Sequence, residues 1–195
     1  MSADKKVQFV CFETTLDKEP FIKRWEQYTR SLHSNVGVTL QQSEKNGVFR
    51  YIAQHRFSSG ELQFVFSKEP RTSRLAQVHI KTMQAGGYTI LQAERLHDTL
   101  GNERKIFVFL TDPNVDLNIY KELFTPVKLN IYEAYYENCK YSYILEYFVK
   151  TKDAPALLEK LNLYDSVEDG TYKECTLAKT LKNNKEKDLY VWPTV

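Results

Sequence analysis

Two histidines occupy positions from which an imidazole could act as an acid or a base. His55 lies in an alternating stretch, residues 48–57, and shares one face of it with four residues: Phe49, Tyr51, Ala53 and Phe57. Burial in such an apolar face lowers the pKa of an imidazole, and a neutral imidazole can take a proton from a phenolic substrate. His79 offers the same chemistry from a segment whose secondary structure the sequence leaves ambiguous. Each histidine also has a structural interpretation, as a hydrogen-bonded residue of the core.

The other candidate site residues are aromatic or acidic. Four aromatic side chains are predicted to line a pocket: Trp25, Tyr51, Phe57 and Phe66. Three glutamates lie on otherwise apolar strand faces and join them as candidates: Glu13, Glu133 and Glu146. Because a buried carboxylate is costly unless it is paired, each glutamate marks either the pocket or the edge of a strand.

Composition excludes several classes of function. The 27 Lys and Arg residues nearly balance the 25 Asp and Glu residues, and the signs alternate along the chain, so no nucleic-acid partner is expected. The mean hydropathy is −0.50 and no long apolar run occurs, so no membrane span is expected. Three separated cysteines, Cys11, Cys139 and Cys175, indicate neither a disulfide framework nor a zinc site, which favours the cytoplasm.

The sequence also carries no motif for a bound cofactor or metal. GxGxxG, P-loop, nucleophile-elbow and HExxH patterns are missing, and only 7 glycines are available for phosphate-binding loops. No pair of histidines has the spacing of metal ligands. We therefore expect no cofactor and no metal.

A helix is predicted to position Trp25. Four apolar residues follow one another at spacings of four, three and four: Phe21, Trp25, Tyr28 and Leu32. Strands are predicted at 7–12, 38–43, 48–57 and 88–94, the second and third joined by an Asn-Gly turn. Residues 61–67 fit a helix or a strand, with a serine cap favouring the helix, and residues 71–83 are ambiguous. Gly86 and Gly87 are expected to precede the last of these strands.

The second half repeats this order of elements. Its strands are predicted at 105–110, 128–136, 141–149 and 170–177, with helices at 117–123 and after Asp153. We place a first domain at 1–96, a linker at 97–104, a second domain at 105–181 and a polar tail at 182–195, whose end could dock on the core.

Both halves thus follow the split βαβ, ferredoxin-like order, and the predicted fold class is α+β with two tandem halves. Such a sheet carries its helices on one face only, so the two halves can cover each other's open faces as a barrel. An antiparallel meander over residues 38–94, without a second helix, is the alternative.

The first half resembles the antibiotic biosynthesis monooxygenase group of the dimeric α+β barrel superfamily. Three runs carry the resemblance: FIKRWE at 21–26, GVTL at 37–40 and FRYIAQHRFSS at 49–59. It implies a pocket between sheet and helices, oxygen-dependent chemistry without metal or flavin, and a barrel closed by a monomeric pseudo-dimer or by a homodimer. Phe57 stands where the group commonly has Trp. Haem degradation is disfavoured, since the first strand ends in Glu13 rather than Asn and residues 61–67 hold no Trp.

From these patterns we expect a small-molecule-binding protein. The resemblance implies the activity of a cofactor-independent monooxygenase on an aromatic or quinol-like substrate, for which His55 and His79 are the candidate acid and base. The alternative is a non-catalytic member of the same fold, a module for ligand binding or subunit assembly.

Overall fold

The computed structural model describes residues 6–29, 36–45, 49–57, 80–94, 102–123, 127–135, 139–162 and 167–174. Within these ranges the strands are β1 (Lys6–Thr14), β2 (Val36–Lys45), β3 (Tyr51–Phe57), β4 (Ile80–Ala93), β5 (Glu103–Leu110), β6 (Lys128–Ala134), β7 (Tyr143–Lys150) and β8 (Val167–Glu174). The helices are α1 (Lys18–Thr29), α2 (Leu117–Glu122) and α3 (Ala154–Leu161). The order of elements predicted for residues 103–174 is confirmed.

Each half forms a four-stranded antiparallel sheet with the same permutation of strands. The order is β4-β1-β3-β2 in the first half and β8-β5-β7-β6 in the second. This permutation is that of the split βαβ unit, and it confirms the predicted α+β fold class. The meander alternative is wrong, because β4 pairs with β1 and β6 rather than with β3.

The two sheets join along two seams to form one closed barrel. β2 pairs with β8, and β4 pairs with β6, so each seam joins the second strand of one half to the fourth strand of the other. The matching seams relate the halves by an approximate two-fold. The barrel therefore closes within a single chain, as the pseudo-dimeric arrangement requires.

Alternation along the strands separates an inner face from an outer face. The inner residues form an aromatic core contributed by both halves: Val7, Phe9, Cys11, Phe49, Ile52, Tyr88, Phe107, Phe109, Tyr132, Tyr141 and Ile144. The rings of Phe9 and Phe107 lie 6.2 Å apart, with Tyr132 at 4.9 Å from Phe9. The outer faces are covered by helices, which leaves the strands buried on both sides.

β4 is longer than predicted. It starts at Ile80 and pairs with β1 along the whole length of β1, from Lys6 opposite Thr89 to Thr14 opposite Ile80. Gly86 and Gly87 are consequently inside the strand instead of before it. A Cβ on Gly86 would lie 2.8 Å from Cε2 of Tyr88 and 3.0 Å from Sγ of Cys139, so only glycine fits at this position.

Phe49 does not share the face of His55, contrary to the prediction. Residues 49–50 form a bend before β3, and this bend interrupts the alternation. The Phe49 ring instead enters the inner core, 5.6 Å from Phe109 and 6.3 Å from Tyr141.

The ambiguous segment 61–67 and most of 71–83 lie outside the described residues, as does the tail at 182–195. The domain boundaries at 96 and 105 stay a prediction. β5 begins at Glu103, two residues inside the segment predicted as linker.

Candidate functional site

α1 places two large rings against the outer face of the first sheet. The helix begins at Lys18 with Pro20 in its first turn, and Phe21 N donates to Asp17 O at 3.0 Å. Phe21 and Trp25, four residues apart, are both fully buried. A spacing of four puts them on the same side of the helix, which is the side that meets the sheet.

These two rings belong to a continuous aromatic layer. Phe12 of β1 stacks on Trp25 at 5.3 Å and on Tyr51 of β3 at 5.7 Å, and Phe21 lies 4.2 Å from Tyr51. His55 completes the layer, with its ring centroid 6.1 Å from that of Trp25. We call this set the α1 face: Phe12, Phe21, Trp25, Tyr51 and His55.

The imidazole of His55 is fully buried in the α1 face. Burial lowers its pKa from 6.5 to about 3, because the apolar surroundings disfavour the charged form. His55 is therefore neutral at physiological pH. Its cross-strand neighbours are Gln8 on β1 and Val38 on β2, so Gln8 lies beside it on the same face of the sheet.

The structure brings Trp25, Tyr51 and His55 together, but it does not bring the three candidate glutamates to them. The Glu13 carboxylate is half-buried at the end of β1 and accepts a hydrogen bond from Arg50 N at 2.6 Å. Glu133 is exposed on β6 and accepts from the Tyr143 hydroxyl at 3.3 Å. Phe57 ends β3, while Phe66 and His79 lie outside the described residues.

Glu146 lies inside the barrel. Its Oε1 is 2.9 Å from Lys105 Nζ, and both side chains are fully buried. Its Oε2 accepts from the Tyr132 hydroxyl at 2.5 Å and from Asn130 Nδ2 at 3.1 Å. Burial acts to raise the pKa of Glu146, but the charges of Lys105 and Arg56 and the hydrogen bonds from Tyr132 and Lys105 outweigh it and lower that pKa, so the carboxylate is ionised.

The first half contributes the other side of this barrel-interior network. Oε1 of Gln54 accepts from Thr39 Oγ1 at 2.9 Å and from Arg56 Nη2 at 3.4 Å. Gln41 lies beside Lys105, and with its amide oxygen turned toward Nζ it accepts a hydrogen bond at 3.3 Å. Charged residues of the two halves thus meet on the inner face, away from α1.

Sequence reasoning missed Gln8, Arg56 and Lys105. A signal was present for Gln8, the one polar residue of the otherwise apolar stretch 7–12, whereas Arg56 and Lys105 each follow two other polar residues. That signal marks a buried polar position without saying which face of the sheet it occupies.

In the described ranges, no three His, Cys, Asp or Glu side chains come together in a way that could hold a metal ion. The helices in those same ranges include none that is both long and apolar enough to cross a membrane.

Known structures share this fold at low sequence identity. A Fusobacterium nucleatum protein described as a "putative monooxygenase" matches with a TM-score of 0.56 and 12% identity, over 90% of this chain and 94% of that one. A Lactobacillus acidophilus protein described in the same words gives 0.54 and 6%, over 90% and 96%. A mutant chlorite dismutase from Candidatus Nitrospira defluvii gives 0.53 and 10%, over 89% and 93%.

No protein-family model matches the chain, and no curated protein matches it. The structural matches and the barrel topology together define the fold as the dimeric α+β barrel, with neighbours that include monooxygenase-like proteins. At these identities the matches establish the fold alone.

Proposed function

We propose that this chain binds a flat, quinol-like aromatic molecule at the α1 face and oxidises it as a cofactor-independent monooxygenase. The observation that carries the proposal is a neutral imidazole, His55, held in a layer of aromatic rings. Flat aromatic molecules stack on such rings, and a neutral imidazole can accept a proton. The structural neighbours described as monooxygenases support the proposal at the level of the fold.

In the proposed reaction the substrate itself supplies the electrons. His55 takes a proton from an activated CH₂ or hydroxyl group, and the resulting carbanion or phenolate transfers electrons to oxygen. For an activated CH₂ the balance is R₂CH₂ + O₂ → R₂C=O + H₂O: two C–H bonds break, one oxygen atom enters the product and the other leaves as water. For a hydroquinone it is C₆H₆O₂ + O₂ → C₆H₄O₃ + H₂O: one ring C–H bond and two O–H bonds break, one oxygen atom becomes the hydroxyl group of the hydroxyquinone and the other leaves as water. The proton on His55 is returned to the departing oxygen.

The low pKa of His55 makes it a weak base in the ligand-free protein. A substrate anion formed beside the ring would stabilise the imidazolium by an ion pair in an apolar environment, which raises that pKa during the reaction. Every side chain of the α1 face is buried, so a ligand reaches it only when the covering elements move.

Oxygen uptake with a panel of hydroquinones and anthrones tests this proposal. We expect His55→Gln to lower the rate by about 10²–10⁴-fold, as for loss of a general base. His79→Gln tests the second candidate base in the same assay. Lys128→Gln, at an exposed position on β6, is the matched control and should leave the rate unchanged. Uptake that survives both histidine substitutions would refute the assignment of these bases.

The complete burial of His55 favours one alternative, a non-catalytic ligand-binding or subunit-assembly module. Calorimetric binding of the same compounds without oxygen uptake would support the ligand-binding form of this alternative.

A further inference from the structure

Gln8 is a buried polar residue whose carbonyl oxygen has no hydrogen-bond partner in the part of the chain that the structure describes. It lies in the middle of β1 with 5% of its surface exposed, and its Oε1 accepts no hydrogen bond from any described residue. The residues that follow it on the same face of β1, Val10 and Phe12, offer no donor. Leaving a buried acceptor unpaired costs free energy, so such groups are rare in folded proteins.

The position of Gln8 connects this oxygen to the α1 face. His55 lies directly opposite on β3, and Gly87 lies directly opposite on β4. Directly opposite residues of an antiparallel pair project to the same face, with Cβ atoms about 4.5–5.5 Å apart. The row across the sheet therefore places the Gln8 amide beside the imidazole, next to a position that carries no side chain.

An orphan carbonyl oxygen requires a donor, and the aromatic rings of the α1 face can stack on a flat ring once the covering elements move. Phenols combine both features, since the ring stacks and the hydroxyl donates. We propose that Gln8 accepts a hydrogen bond from the phenolic hydroxyl of the aromatic ligand, and so selects hydroxylated rings over their O-methylated counterparts. This inference rests on the proposed function, because it takes the α1 face as the ligand site.

Isothermal titration calorimetry with 2-naphthol and 2-methoxynaphthalene tests the selection. The two probes share a ring system, and only the first can donate to Oε1. We expect the wild-type protein to bind 2-naphthol about tenfold more tightly, the usual effect of one hydrogen bond to a buried acceptor. Gln8→Met, which keeps the length of the side chain, should lower the affinity for 2-naphthol about tenfold and leave the affinity for the ether unchanged.

Thermal unfolding without ligand gives a second readout. If Oε1 is reserved for a ligand, Gln8→Met removes an unpaired acceptor and should raise Tm by a few degrees. If Gln8 serves the fold instead, the substitution should lower Tm and weaken both probes equally. Gln8→Leu must reproduce the result, and Gln84→Met, at an exposed position on β4, is the control expected to change neither Tm nor binding.

The outcomes separate this inference from the proposed function. Equal affinity for both probes, or discrimination that survives in Gln8→Met, overturns the role of Gln8 and leaves an aromatic site at the α1 face. Failure of both probes to bind overturns both proposals. If the preference for 2-naphthol over 2-methoxynaphthalene depends on Gln8 but the protein consumes no oxygen, the role of Gln8 is supported and the proposed monooxygenase activity is refuted.

Discussion

The two halves of the barrel share one topology but differ in what lies beneath their helices. In the first half His55 and Gln8 lie side by side on the outer face, and Val38 of β2 pairs with His55 in the backbone register. The row at the same position of the second half is Leu129, Tyr147, Ile106. The second-half residue equivalent to His55 is thus Tyr147, whose hydroxyl donates a hydrogen bond to Tyr120 O at 2.7 Å.

The remainder of the second outer face is almost entirely aliphatic. Its strand residues form one buried cluster with residues of α3: Ile106, Val108, Leu110, Leu129, Ile131, Leu145 and Val149 from the strands, and Ala154, Leu157 and Leu161 from the helix. One fold therefore supports a layer with an imidazole and an unpaired amide oxygen in one half, and an ordinary hydrophobic core in the other. Function on this fold depends on the side chains of one face rather than on topology.

On the inner faces it is the second half that carries the ion pair of buried charged residues. Glu146 pairs with Phe107 in the second half as Gln54 pairs with Phe9 in the first, so these two positions are equivalent. Lys105 precedes Phe107 by two residues, as Val7 precedes Phe9, so Lys105 and Val7 are equivalent as well. The second half thus supplies an ion pair to the interior, and the first half supplies neutral amides together with Arg56.

The largest expected effect comes from breaking that ion pair. Glu146→Leu leaves Lys105 and Arg56 buried without their carboxylate and should lower the free energy of unfolding by about 3–5 kcal/mol. The double variant Lys105→Met with Glu146→Leu should recover part of the loss. Urea unfolding measures both, with Glu159→Leu on the exposed side of α3 as control. A loss no greater than that of Gln54→Leu would contradict the contrast between the inner faces.

Leu157→Ala tests whether the second outer face is filled. Leu157 is fully buried on the side of α3 that faces the second sheet, so its truncation should cost about 2–5 kcal/mol of unfolding free energy. Leu91→Ala, at a side chain that is 53% exposed, is the control and should change stability by less than about 0.5 kcal/mol. If 2-naphthol stabilises the wild-type protein but not Leu157→Ala, the ligand binds in the second half, contrary to the proposed site at the α1 face.

Acid should destabilise the first half through His55. Its pKa is about 3 in the folded protein and 6.5 when unfolded, so below pH 6.5 the unfolded chain takes up a proton that the folded chain does not. The stabilising contribution is complete above pH 6.5 and is lost as the pH falls toward 3. We expect a loss of about 3 kcal/mol between pH 6.5 and pH 4.

His55→Leu is the matched variant for this measurement and should lack that part of the acid sensitivity. Denaturant unfolding at half-unit pH steps gives the comparison. The interval from pH 6.5 to pH 5 is the most informative, because ordinary carboxylates titrate below it. Identical pH dependence in the two proteins would show that His55 has the same pKa in the folded and the unfolded protein, which would contradict its burial as a neutral group.

Tyr147→Phe should have the smallest effect, about 1 kcal/mol of unfolding free energy, for the loss of one hydrogen bond to Tyr120 O. Its ring is buried and stays in place. Tyr135→Phe, at a ring that is 49% exposed, is the control for the change of residue type. A loss of several kcal/mol would mean that the second outer face depends on its polar contact as strongly as the inner face does.

The sequence alone determined the local elements and the residue types that they carry. Alternation predicted strands buried on both sides, and the four-residue spacing of Phe21 and Trp25 predicted the helix that covers His55. The repeated order of elements predicted two ferredoxin-like halves. These are local properties, since the pleat of a strand and the pitch of a helix are fixed within a few residues.

Only the tertiary structure decided which face of each strand is the inside of the barrel. Both His55 and Glu146 lie on strands that are buried on both faces, and alternation has the same period whichever face is inside. When the two seams close, Glu146 lies inside the barrel with Lys105 and Arg56. His55 lies on the outer face beside Trp25, on the other side of the sheet from these charged residues. Partner strands come from distant parts of the chain, so the surroundings of a buried polar residue depend on sheet order, which no local pattern contains.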